Sequence, residues 1–104
     1  MAAGFLIKNG YRIVCKNYYL RSGEIDIIAY DKDGTLVFVE VKYRSSAAFG
    51  DPKLAVNAAK IKKIEQTAKH YMLVNKIMPD TPCRIDVIAI TGDYIEHLKN
   101  VTGY

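Results

Sequence analysis

The four residues Asp31-Lys32-Asp33-Gly34 stand between two runs of mostly apolar or β-branched residues, Glu24 to Tyr30 and Thr35 to Tyr43. A turn signal in that setting predicts a β-hairpin, and a hairpin fixes which residue faces which. If Lys32, Asp33 and Gly34 form a three-residue loop with Gly34 left-handed, Asp31 pairs with Thr35. Counting back sets Asp26 opposite Glu40 and Glu24 opposite Lys42. Side chains alternate along a strand, so Glu24, Asp26, Ile28 and Tyr30 share one face, as do Leu36, Phe38, Glu40 and Lys42. Any fold of this chain must accommodate four ionisable side chains in one patch of two otherwise apolar strands.

The flanking segments supply the rest of the fold. Ala2 to Asn9 reads as the last turns of a longer helix, closed by Gly10 as a left-handed C-cap. Tyr11 to Leu20 reads as a strand ending in the turn Arg21-Ser22-Gly23. After the hairpin, Asp51 is placed to cap a helix with Pro52 at its first position. Leu54, Ala58, Ile61, Ile64, Ala68, Tyr71 and Met72 form its apolar stripe. Pro79 and Pro82 end that helix; Cys83 to Thr91 reads as a buried strand, joined through Gly92-Asp93 to a last strand, Tyr94 to Leu98. The predicted order is α-β-β-β-α-β-β, an α/β fold, and 104 residues suffice for a single domain spanning 1–104.

With half of its residues hydrophobic and a quarter charged, the chain has the composition of a folded domain and not of a disordered tail. Its net charge is +4, and six lysines against the single acid Glu65 between Lys53 and Lys76 concentrate the excess on the long helix. A basic face of that kind suits an anionic partner. Cys15 and Cys83 are far apart, lack metal-ligand spacing and read as small buried hydrophobes of a protein in a reducing compartment, the cytoplasm. No apolar run approaches the roughly 20 residues that span a bilayer, and the first eight residues are too mixed for a signal peptide.

Opposed residues in an antiparallel pair have Cβ atoms about 5 Å apart, and two carboxylates there repel by roughly 3 kcal/mol at an effective dielectric near 20. A hard divalent cation, Mg²⁺ or Mn²⁺, relieves this repulsion by binding carboxylate and carbonyl oxygens while keeping positions open for water and phosphate. Asp26, Glu40 and the backbone carbonyl of Val41 are its candidate ligands. Lys42, on the face of Glu40, is suited to orient or deprotonate a water or to neutralise charge on a phosphate. The competing reading pairs these acids and lysines structurally, with a strand lysine as a guard against edge-to-edge association.

The spacing Gly23-Glu24-Ile25-Asp26, a hairpin, then Val39-Glu40-Val41-Lys42 resembles the D…ExK signature of restriction-endonuclease-like nucleases, the PD-(D/E)XK superfamily. Gly-Glu-Ile-Asp-Ile-Ile-Ala, Leu-Val-Phe-Val-Glu-Val-Lys-Tyr-Arg, Phe49-Gly50-Asp51-Pro52 and Arg84-Ile85-Asp86-Val87 together look like the YraN-like family of bacterial predicted endonucleases, related in fold to archaeal Holliday-junction resolvases. The resemblance covers nearly the whole chain. It implies a restriction-endonuclease-like core with a mixed sheet and a truncated first helix. It also implies metal ligation by Asp26 and Glu40, catalysis by Lys42, Glu24 as an acidic neighbour, DNA as partner, and a homodimer, since nucleases of this fold often pair. The resemblance further implies a longer first helix that usually bears a Gly-Glu pair, whereas in this sequence nothing acidic precedes Glu24.

Arg21, Arg44, Lys60 and Lys63 are candidates for tracking a phosphate backbone, against the reading of a solvated helix face. Asp86 reads first as a structural acid on the neighbouring strand and second as a more distant member of the site, and His70 and His97, without spaced partners, as ordinary surface or packing residues. Three functions compete: a metal-dependent DNA phosphodiesterase, a catalytically inactive nucleic-acid-binding module of the same fold, and a protein-interaction domain whose charges pair across strands.

Overall fold

The computed structural model describes residues 1–45 and 57–102. Helix α1 (Ala2–Lys8) ends where Gly10 takes φ +89°; the Gly10 N–H donates to the Ile7 carbonyl at 3.1 Å and the Tyr11 N–H to the Leu6 carbonyl at 3.0 Å. These two bonds satisfy carbonyls that the last turn would otherwise leave open. Strands β1 (Arg12–Leu20), β2 (Gly23–Tyr30) and β3 (Leu36–Arg44) form an antiparallel meander, followed by α2 (Ala58–Val74), β4 (Cys83–Thr91) and β5 (Tyr94–Leu98). The order is the predicted α-β-β-β-α-β-β.

The hairpin has the predicted loop. Asp31 N–H donates to the Thr35 carbonyl at 3.0 Å, Gly34 has φ +84°, and Asp31 Oδ1 accepts from the N–H groups of Asp33 and Thr35 at 2.8 and 2.9 Å. From it the β2–β3 ladder runs Tyr30↔Leu36, Ala29↔Val37, Ile28↔Phe38 and Ile27↔Val39, the predicted register. Among the described residues the sheet has five strands, ordered β1-β2-β3-β4-β5, of which β3–β4 pair in parallel and the others antiparallel. Parallel neighbours need a long crossover, and α2 lies within it.

Among the described residues, each face of the sheet carries one helix. Leu6 of α1 packs with Ile27, Ala29, Val37, Val39 and Ile88; Ile64, Ala68 and Tyr71 of α2 pack with Ile28, Leu36 and Phe38. The middle strands are therefore buried on both sides, so they read as nearly continuous apolar runs.

Asp51, Pro52 and Leu54 lie outside the described residues. The described helix is capped by Asn57, which has extended backbone and accepts the Lys60 N–H at 2.9 Å. Ala58, expected in the apolar stripe, is exposed beside this cap, and the buried stripe begins at Ile64. Thr67 is fully buried, its hydroxyl donating to the Lys63 carbonyl at 2.9 Å. Cys15 is half-buried as a small hydrophobe against the α2 core, whereas Cys83 is exposed, at the first position of β4 where the chain leaves Pro82. Among the described residues no helix is long and apolar enough to cross a membrane.

Candidate active site

The site forms where β2 departs from regular alternation. Across β1, Lys16 pairs with Ile27 and Tyr18 with Ile25, which sets Asn17, with φ +53°, against Asp26. On one side of this point Ile25 packs in the α2 core; on the other, Ile27 packs in the α1 core. The single face expected for Glu24, Asp26, Ile28 and Tyr30 is thus broken, because residues two apart at Ile25 and Ile27 point to opposite sides. A left-handed residue in the neighbouring strand is the kind of irregularity that turns a strand over.

The β2–β3 pairs end at Ile27↔Val39, and beyond them Asp26 Oδ2 accepts the Val41 N–H at 2.7 Å. A side chain has taken over a backbone bond of the ladder. The N–H and C=O of one strand residue point to the same edge, so the Val41 carbonyl also faces this opening. Asp26 lines a cavity of about 300 Å³ on the α1 face, with Ala3, Lys16, Val41 and Tyr43, and a cavity of about 180 Å³ on the α2 face, with Glu24, Glu40, Lys60 and Lys63.

Glu40 is only 8% exposed, and its carboxyl is pushed up to about 7. Burial is the largest cause, followed by the hydrogen bond and charge of Asp26, with Lys60 pulling the other way. Lys60 Nζ reaches Glu40 Oε2 at 3.3 Å. Lys42 is held below the ordinary lysine value, first by hydrogen bonding to Lys60, then by desolvation and the Lys60 charge. Lys60 is raised by the same contact and by Glu40. Asp26, Glu40, Lys42 and Lys60 therefore form one interacting group.

Other candidates sit at varying distance from it. Glu24 is exposed, and because the β2–β3 ladder stops at Ile27↔Val39 neither the expected Asp26–Glu40 nor the expected Glu24–Lys42 strand pair belongs to it, although Glu24 lines the smaller cavity. Lys63 lines that cavity from the next turn of α2. Arg21 is exposed in the β1–β2 turn and Arg44 is half-buried at the end of β3.

A second polar group was not foreseen. Asp86 is fully buried beside Val39 on the α1 face, away from Glu40. It accepts from Arg84 Nε at 3.0 Å, from the Asn100 N–H at 2.9 Å, and meets His97 Nε2 at 2.8 Å. Arg84 also donates to Asp31 at 2.7 Å and to the Tyr11 hydroxyl at 2.8 Å. Asp86 thus has the structural role expected first, and His97 is its half-buried partner, the packing residue of its two readings and not the surface one. The two-residue turn at Gly92-Asp93 was the available signal: it sets His97 opposite Ile88, diagonal to Asp86.

The donor set at Asp26 and Glu40 is two carboxylates and a backbone carbonyl, all hard oxygens, in a site where burial leaves negative charge poorly screened; it fits Mg²⁺ or Mn²⁺. Among the described residues no cluster of three or more His, Cys, Asp or Glu side chains forms, so water or a bound phosphate would complete the coordination.

A solved chain described as a repair endonuclease from Pyrococcus abyssi superposes with a TM-score of 0.45 and 22% identity, over 86% of this chain and 34% of that one. This chain spans about a third of its length. A UPF0102 protein of Lachnoclostridium phytofermentans is 46% identical over 99 residues, covering 95% of this chain and 83% of the relative. Its counterpart in Psychromonas ingrahamii is 49% identical over 90 residues, covering 86% and 70%. Since these relatives align along most of the chain and the family's sequence model matches residues 1–90, the chain belongs to the uncharacterised protein family UPF0102, the YraN-like family its strand motifs resemble.

Proposed function

We propose that the chain is a metal-dependent nuclease that hydrolyses DNA phosphodiester bonds, with water as nucleophile and no covalent intermediate. The observation that carries this reading is the pair Asp26 and Glu40, held together at the open end of the β2–β3 ladder with Lys42 and Lys60 alongside. When bound, Mg²⁺ or Mn²⁺ supplies Lewis-acid polarisation and charge neutralisation at the phosphate. Asp26, fixed by the Val41 amide, and Glu40 would hold it, with the Val41 carbonyl as third donor. Lys42, lowered by its neighbour Lys60, is suited to accept a proton from the attacking water or to meet charge developing on the phosphate. Lys63, Arg21 and Arg44 supply positive charge for the DNA backbone. Branched or otherwise structured DNA is the substrate class the resemblance suggests.

Plasmid and branched DNA incubated with Mg²⁺ or Mn²⁺ test the reading. We expect cleavage by the parent, with Asp26→Ala and Lys42→Ala each slower by about 10²- to 10⁴-fold. Variants that cleave as fast as the parent would remove these residues from the site.

One observation favours a second reading, a catalytically inactive nucleic-acid-binding module: Lys60 already neutralises Glu40. That module binds DNA equally in EDTA and in Mg²⁺, and cuts in neither.

A further inference from the structure

We propose that Lys60 is a built-in substitute for the cation: its ammonium occupies Glu40 while no divalent ion is bound and is displaced toward the DNA phosphate when one binds. This rests on the cation reading above and assigns the lysine's part in it. Glu40 is buried and lines one cavity with Asp26, and two neighbouring carboxylates in a poorly solvated place are stabilised by a positive charge set against them. Lys60 Nζ supplies it at 3.3 Å from Oε2. A cation ligated by that oxygen and an ammonium at 3.3 Å from it would compete for the same place.

Lys60 is also built to leave. It stands in the first turn of α2, directly after the Asn57 cap, and its side chain is 39% exposed, so withdrawing it opens no hole in the core formed by Ile64, Ala68 and Tyr71. Its flexible four-carbon stem carries a compact charge with rotatable donors, which suits exchange between a carboxylate and a phosphate better than a rigid guanidinium would. Lys63, one turn further on, lines the same cavity, while the ion pair of Glu40 is made by Lys60. This difference separates displacement from simple charge repulsion, because removing either lysine takes one positive charge from the cavity.

The test is Mn²⁺ binding without DNA, followed by the electron paramagnetic resonance of free Mn²⁺, for the parent, Lys60→Met, Lys60→Gln and Lys63→Met, each checked for folding by circular dichroism. We expect both Lys60 variants to bind Mn²⁺ about fivefold or more tighter than the parent, on the scale of one partly exposed ion pair, and Lys63→Met to stay within about twofold of the parent. Binding by the Lys60 variants alone is the extreme form of the same result. Unchanged or weaker binding in both Lys60 variants overturns the proposal and leaves the nuclease reading standing, as does an equal gain in Lys63→Met. Absence of Mn²⁺ binding in every protein overturns both.

Discussion

Asp86 has no exposed surface, and its carboxylate is tolerated because Arg84, His97 and the Asn100 N–H all reach it. Burial alone would raise its pKa, but the hydrogen bonds from His97, Asn100 and Arg84 and the Arg84 charge outweigh it and hold the group below the ordinary value of 3.8. Asp31 is lowered likewise, burial being outweighed by Arg84 and by the Thr35 and Asp33 amides. Both acids therefore take up protons more readily in the unfolded chain. Their contribution to stability is complete above the ordinary carboxylate range and is lost as pH falls through the lowered folded values. Urea unfolding between pH 7 and pH 3 should show this loss in the parent and a shallower pH dependence in Asp86→Asn. At neutral pH, Asp86→Ala should cost about 3 kcal/mol or more, because it strands the buried side of Arg84 without its partner; a cost below about 1 kcal/mol would show that the Arg84–Asp31 pair alone suffices.

The elements depend on two contacts that periodicity does not reveal. A Cβ at Gly23 would lie 3.0 Å from Thr67 Oγ1 and 3.6 Å from the Lys63 carbonyl, so α2 approaches the start of β2 as closely as a glycine permits. Gly23→Ala should push the helix outward at about 1–2 kcal/mol, and amide chemical shifts should then move at Lys60 and Lys63 more than at Val74. Asn57→Ala should cost about 1 kcal/mol in thermal or urea unfolding by removing the bond to the Lys60 N–H. The hairpin was legible because three loop residues determine a register and the ladder from Tyr30↔Leu36 follows mechanically. The face of Asp26 was not, because alternation is reset by Asn17 on another strand, and no local pattern in β2 records it. Asn57 does not stand out in the sequence for a simpler reason: Asp51-Pro52 makes the more familiar helix-start pattern before it.

For the molecule as a whole, the parallel pair β3–β4 lies inside the sheet, covered by α1 and α2 on its two faces. Native-state hydrogen exchange should be slowest for Val37, Val39, Val87 and Ile88 and faster along β1 and β5, which have partners on one side only; equal protection across all five strands would contradict this. The order of elements could be read from runs and turns, whereas the joining of Tyr11, Asp31, Arg84 and His97 around Asp86 could not, because it draws on four strands or their ends at once. Asp26 is the opposite case, one residue that lines cavities on both sides of the sheet. A β-sheet ordinarily works as a partition, but here a single acidic residue is set into it like a window, lining the cavity beside Ala3 and the cavity beside Glu40. A positive group drawn up to the Ala3 side would therefore stand against the same acidic residue that Glu40 and Lys60 meet on the other.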